Sequence, residues 1–249
     1  RYLSKKKNNN EKKYDINIKN INHIHDIPKS IDLFESTYVP TDIHNIINNE
    51  SDYIISYKFK IKEREISIIF VTCNENITFN IEKYNDYIDN IFIWFYIASK
   101  HAFKYCSKRL NIYIYLTNVD RSIPKSSINV LEPIHINGGV SNVCVKNSIS
   151  EIVIFRREEW FKVLIHETFH NYGLDFSDLT INSLKTNFKN LFPIKSDMLV
   201  FEAYTEFWGE VINMCFICYL TSNNSKSNKK EKFSQLIREL INIEKCFSL

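Results

Sequence analysis

The pattern of apolar and polar positions along the chain predicts a sheet first and helices afterwards. Two runs rich in β-branched and aromatic residues, 53–60 and 65–72, read as strands. Residues 86–110 hold neither Gly nor Pro and are apolar through their first half, which predicts a buried helix with a basic C-terminal end that suits the helix dipole. Residues 111–117 alternate Ile and Tyr before Leu116, a further strand. Residues 131–145 read as extended and carry Gly138 and Gly139, a pair that marks backbone bending or close approach. A short strand is predicted over 151–155. A helix follows over 157–172, ended by Gly173 as its C-cap.

From there the pattern is helical. Residues 178–195 are irregular or weakly helical. A long helix is predicted over 196–220, with Ser196 or Asp197 as N-cap. A polar loop spans 221–230. An amphipathic helix over 231–247 places Phe233, Leu236, Ile237, Leu240 and Ile241 on one face. Residues 1–20 are polar and low in complexity and read as a tail or extended arm. Residues 21–50 hold Pro28 and Pro40 and show no clear period. The expected fold class is therefore α+β: one domain over 21–249, with a sheet-bearing half over about 50–173 and a helical half over about 174–249. No internal repeat is visible.

Composition changes this picture little. The 249 residues include 38 Ile, 29 Asn and 25 Lys against 7 Arg and 4 Gly. These favoured residues share A/T-rich codons, so the skew reflects a genome such as that of a large DNA virus, a protist parasite or an A/T-rich bacterium. The longest apolar runs, 91–98 and 211–220, fall well short of the roughly 20 residues of a membrane span. A net charge of +3 is too mild to indicate nucleic acid. The basic segments 5–13 and 226–232 read as solvated tails or loops. The chain opens on Arg1, as a trimmed piece would, and no signal peptide is visible. Cys73, Cys106, Cys144, Cys215, Cys218 and Cys246 are scattered through apolar sequence. Even the C-x-x-C of Cys215 and Cys218 lacks a turn residue and a second pair, so all six read as core thiols. A reducing, cytoplasmic or otherwise intracellular setting follows.

One segment carries chemistry. His166-Glu167-Thr168-Phe169-His170 fits H-E-x-x-H. With 7 His in the chain, chance supplies only about 0.014 such matches. On a helix, positions i and i+4 share a face, so both imidazoles can reach one ion at about 2.0–2.1 Å. Glu167 lies about 100° round the helix and can reach a water on that ion, the place of a general base. The apolar run 160–165 leads into the motif without a break.

A catalytic zinc needs a third protein ligand and an open position. In one arrangement that ligand stands three residues after a glycine turn. Gly173 is in place, but Phe176 occupies the ligand position and Asp175 falls one residue early. In the other, a Glu arrives from a later helix. Glu202 and Glu206, i and i+4, stand in the otherwise apolar run 201–208, where unpartnered carboxylates would be costly to bury. Glu202 would bind the metal, and Glu206 would accept the free ring N–H of a ligand His. The reverse assignment of the two, and a solvated carboxylate stripe, remain open alternatives.

His166-Glu-x-x-His170 followed by Glu202-Ala-Tyr-Thr-Glu206 resembles the zincin metallopeptidases of the gluzincin type. These include the thermolysin-like proteases and the anthrax lethal factor catalytic domain. The resemblance covers residues 50–220 in outline. It implies a mixed sheet with a backing helix and an active-site helix. It implies Zn²⁺ held by His166, His170 and Glu202, with Glu167 as base and Glu206 behind a ligand His. It also implies an edge strand, here Gly138, Gly139 and Val140 onward, that holds an extended peptide or protein substrate. An oxyanion donor is expected in such sites. Tyr172 and His135 are candidates, and Tyr204, about 200° round its helix from Glu202, is expected to face away. The expected function is a zinc-dependent peptidase, an endopeptidase by preference, with no nucleic-acid or membrane partner. A non-catalytic scaffold of the same fold is the alternative, although it would have no need of Glu167; a self-cleaving or pro-form enzyme is a third reading.

Overall fold

The computed structural model describes residues 14–75, 77–121, 132–146, 148–177, 182–192, 198–223 and 228–247. Six strands of the described residues form one mixed sheet: β1 (Asp15–Asn20), β2 (Ser51–Ile61), β3 (Arg64–Cys73), β4 (Arg109–Tyr115), β5 (Gly139–Ser141) and β6 (Ile149–Ile154). Their order in the sheet is β1-β2-β3-β4-β6-β5. β3, β4 and β6 run parallel, while β1, β2 and β5 are antiparallel to their neighbours. Among the described residues seven helices accompany them: α1 (Thr41–Glu50), α2 (Ile77–His101), the single turn α3 (Pro133–Ile136), α4 (Trp160–Asn171), α5 (Asn182–Leu191), α6 (Val200–Asn223) and α7 (Lys229–Phe247). No helix among the described residues is long and apolar enough to cross a membrane.

The central strands β3, β4 and β6 are buried on both faces, and their period-2 alternation divides the side chains between two cores. Ile66, Ile68, Phe70, Ile112, Ile114, Ile152 and Ile154 face α2 and α4. Val71, Tyr113, Tyr115, Val153 and Phe155 face the other way, toward α1 and the loop carrying Phe34. The Ile-Tyr alternation of β4 is thus two faces of one buried strand, Tyr113 and Tyr115 lying opposite Ile112 and Ile114.

Several predicted boundaries shift. The arm read over 1–20 ends in β1, an edge strand that pairs with β2 from Asp15 to Asn20; residues 1–13 lie outside the described residues. The unpatterned stretch 21–50 contains α1, whose buried Ile43 and Ile47 lie one turn apart. The helix expected over 86–110 is α2, nine residues earlier in both respects. Ile88, Ile91 and Phe95, together with Tyr84 before them, recur every three to four residues and are buried in the first core. The basic residues beyond His101 belong to a turn and to the start of β4. The extended stretch 131–145 holds the α3 turn and the three residues of β5. Ser196 and Asp197, read as helix caps, lie outside the described residues.

The reading of six core thiols needs correction. Cys106 and Cys144 form a disulfide across a sequence separation of 38. It joins the turn after α2 to the loop between β5 and β6. Sequence spacing cannot reveal a pair that a parallel crossover brings together. The inference of a reducing compartment loses its basis with it. Cys73 and Cys218 are free and buried, and Cys215 is free and half-buried.

Candidate metal centre

Helix α4 is the axis of the site. It lies against the sheet and α2, with Leu164, Ile165 and Phe169 in the first core. Thr168, buried between the two histidines, accepts a hydrogen bond from Trp94 Nε1 of α2 at 3.1 Å. The helix thus presents its remaining face, His166 and His170, toward α6.

Its C-terminus is closed by Gly173, at φ +62°. Gly173 N–H donates to His170 O at 3.2 Å and Leu174 N–H to Phe169 O at 2.8 Å, a Schellman turn. This turn brings Asp175 back onto the helix, where its Oδ2 lies 2.6 Å from His170 Nδ1. Asp175 falls one residue early for a ligand and is placed instead as the partner of a histidine. A Gly-terminated helix followed two residues later by a carboxylate was the available signal.

Helix α6 crosses α4 at Gly209, where an added Cβ would lie 3.7 Å from His166 Cβ and 3.8 Å from the Lys162 carbonyl. This crossing sets Glu202 and Glu206 against the two histidines. Glu202 Oε2 lies 3.4 Å from His166 Nε2 and 3.3 Å from His170 Nε2. The two Nε2 atoms are 3.1 Å apart. Glu206 Oε2 lies on the opposite side of the His166 ring, 3.0 Å from Nδ1. A carboxylate only accepts, so Glu206 and Asp175 hold a proton of each ring on Nδ1 and leave each Nε2 facing Glu202 as the candidate ligand atom.

These three ligand atoms form a triangle with edges of 3.1, 3.3 and 3.4 Å. Ligands on a tetrahedral zinc at about 2.0–2.1 Å stand about 3.3–3.4 Å apart, so the donor set fits that ion. Among the described residues, His166, His170 and Glu202 are the group whose donors converge in this way.

The electrostatics follow from the same contacts. Burial, the largest single influence, pulls the His166 pKa down, but hydrogen bonds to Glu202 and Glu206 outweigh it and raise it to about 9. Burial likewise pulls the His170 pKa down, but hydrogen bonds to Asp175 and Glu202 outweigh it and raise it to about 10. Hydrogen bonds from His166 and His170 hold Glu202 down at about 2. His166 and, against burial, Lys162 do the same for Glu206, also at about 2. Glu167 is buried, and burial raises its pKa.

His166, Glu167 and Glu202 line a cleft of about 370 Å³ that also takes in Gly138 and Gly139. The glycine pair has a packing reason. A Cβ on Gly139 would meet Val163 Cγ1 at 2.8 Å, Ile154 Cδ1 at 2.9 Å and the Val153 carbonyl at 3.0 Å. The strand therefore lies directly on α4. Val140, grouped with the glycines in the sequence, turns its side chain away into the second core. Phe155 N–H donates to Gly138 O and Asn142 N–H to Glu151 O. Residues 138, 140 and 142 thus face β6, and the main chain of Gly139 and Ser141 faces the open edge.

Of the oxyanion candidates, Tyr172 is fully buried beneath the Arg64 guanidinium, outside the cleft. His135 lines the cleft, its Nδ1 accepting the Glu132 N–H at 2.8 Å. Tyr204 packs on Phe169, Phe176 and Trp208, away from the histidines. Lys162, one turn before His166, was not singled out from the sequence. Its ammonium is buried among Glu206 at 2.8 Å, Glu159 at 3.2 Å and Glu210 at 3.5 Å. Glu210, one turn beyond Glu206 on α6, joins this cluster.

No family model matches the chain, and no solved structure gives a significant match. The uncharacterized protein R210 of Acanthamoeba polyphaga mimivirus is 30% identical over 144 residues, which cover 55% of this chain and 36% of that protein. The chain thus spans little more than a third of the length of the curated relative it matches.

Proposed function

We propose that this chain is a zinc-dependent peptidase with a zincin fold, cleaving internal peptide bonds of an extended substrate. The observation that carries the reading is the His166–His170–Glu202 triangle, of the size a tetrahedral zinc needs, with the Glu167 carboxyl beside it in the cleft. Zinc held there would supply a water of lowered pKa and positive charge for the developing oxyanion. The chain's own groups do the rest. Glu206 and Asp175 hold the Nδ1 proton of each imidazole and so orient both Nε2 atoms toward the metal position. Glu167 accepts the proton of the attacking water and returns it to the leaving amine. The open edge of β5 offers Gly139 and Ser141 main-chain groups to a substrate strand. An edge that runs past the cleft suits a chain lying across it, which is why an endopeptidase is preferred.

The test is metal analysis of the purified protein together with cleavage of a peptide library, with and without a chelator. Replacing Glu167 with Gln is expected to abolish turnover while zinc stays bound. Zinc without cleavage of any peptide would favour a scaffold, and full activity in the Gln variant would remove Glu167 from the mechanism.

A further inference from the structure

We propose that Ser141 is a positioning residue for the general base: its hydroxyl, delivered by the edge strand, fixes the Glu167 carboxylate in the cleft. This rests on the reading of Glu167 as base. Ser141 Oγ donates to Glu167 Oε2 at 2.7 Å, and its distance to the Glu167 carbonyl, 3.3 Å, is a weaker alternative for the same proton.

The contact follows from two matching repeats. On a strand, residues two apart share a face and stand about 6.6–6.8 Å apart. On a helix, residues four apart share a face and rise about 6 Å. β5 lies on α4 in this register: position 139 meets Val163, and position 141 meets Glu167, four residues on. Val140, between them, faces the opposite core. The close seat needs glycine at 139, because any side chain there strikes Val163, Ile154 and the Val153 carbonyl. Position 141 then has room for a small side chain, and a serine supplies a donor as well.

The arrangement divides the work of the carboxylate. Oε2 is taken by Ser141, which leaves Oε1 for the cleft that Glu167 lines. Glu167 is only 8% exposed, so few waters can replace a lost donor. Without the hydroxyl the carboxylate has neither a fixed rotamer nor a partner at Oε2. The strand that binds substrate main chain would therefore also set the base, and substrate docking and base alignment would share one element.

The experiment compares Ser141→Ala, Ser141→Thr and Glu167→Gln, alone and combined, in the zinc-loaded protein and in crystals of the metal-free protein. Ser141→Ala is expected to lower kcat by about tenfold to a hundredfold, the range for a lost hydrogen bond to a charged group. KM and zinc affinity, read by chelator competition, stay unchanged. Ser141→Thr restores most of the rate, and Ser141→Ala costs nothing further once Glu167 is Gln. In metal-free crystals of the Ala variant, the Glu167 carboxylate leaves its position. Wild-type kcat in the Ala variant, a loss that Thr does not recover, or an unmoved carboxylate overturns the proposal. If the wild-type protein cleaves no peptide, the peptidase reading fails by itself. The crystal comparison then decides Ser141 alone: a displaced carboxylate supports it, and an unmoved one refutes it.

Discussion

Adding zinc to the metal-free protein at pH 7 should expel protons, and their number measures the site. With folded pKa values of about 9 and about 10, His166 and His170 each carry a second proton at neutral pH. Those protons sit on Nε2, since Nδ1 of each ring is already committed to Glu206 and Asp175. Glu202 Oε2, at 3.4 and 3.3 Å, accepts both. Zinc takes the place of these protons and needs both imidazoles neutral. About two protons per zinc should therefore appear at pH 7. Apparent affinity should rise about tenfold per proton for each pH unit, until the imidazoles are neutral near pH 10. Calorimetric titration in two buffers of different ionisation enthalpy counts the protons directly. Binding heat that does not depend on the buffer at pH 7 would refute the account, because the imidazoles would then already be neutral. An absence of binding would remove the metal centre itself.

The same groups set the pH stability of the metal-free fold. The raised histidine pKa values contribute stability that is complete below 6.5 and is lost as pH rises through about 9 and 10. The lowered carboxylates contribute stability present above 4.5 and lost as pH falls toward about 2. The urea midpoint of metal-free protein should therefore fall on both sides of a plateau between about pH 4.5 and 6.5, and the alkaline fall should vanish in His166→Ala combined with His170→Ala. Gly139→Ala should cost about 1–3 kcal/mol in urea unfolding, because two side chains and a carbonyl lie within 3.0 Å of the added methyl. Gly138→Ala, facing mainly one Val163 methyl, should cost less. Cys106→Ser opens a loop of 38 residues and should lower stability by about 4 kcal/mol on the chain-entropy account, with a matching loss on reduction of the wild type. Lys162→Met removes the cation between Glu206, Glu159 and Glu210 and should weaken zinc binding by about tenfold through the looser Glu206.

The sequence by itself determined what depends on neighbours along the chain. Two histidines four apart must share a helix face, and Glu167 must stand beside them. Alternation in β2, β3 and β4 must send successive side chains to opposite faces, and Gly173 must end its helix. The candidate ligands His166, His170 and Glu202 were legible for that reason, as was Glu206. The tertiary structure decided what depends on which segments meet. The sheet order that puts β5 at the edge beside β6, and the disulfide between Cys106 and Cys144, arise from crossovers that no local pattern encodes. Asp175 was visible but lacked a role until the Schellman turn folded it onto His170. Ser141 and Lys162 gave no signal, since a serine in a short strand and a lysine on a helix are ordinary residues. They matter only because β5 and α6 close on α4 from two sides, bringing a hydroxyl to Glu167 and a cation to Glu206.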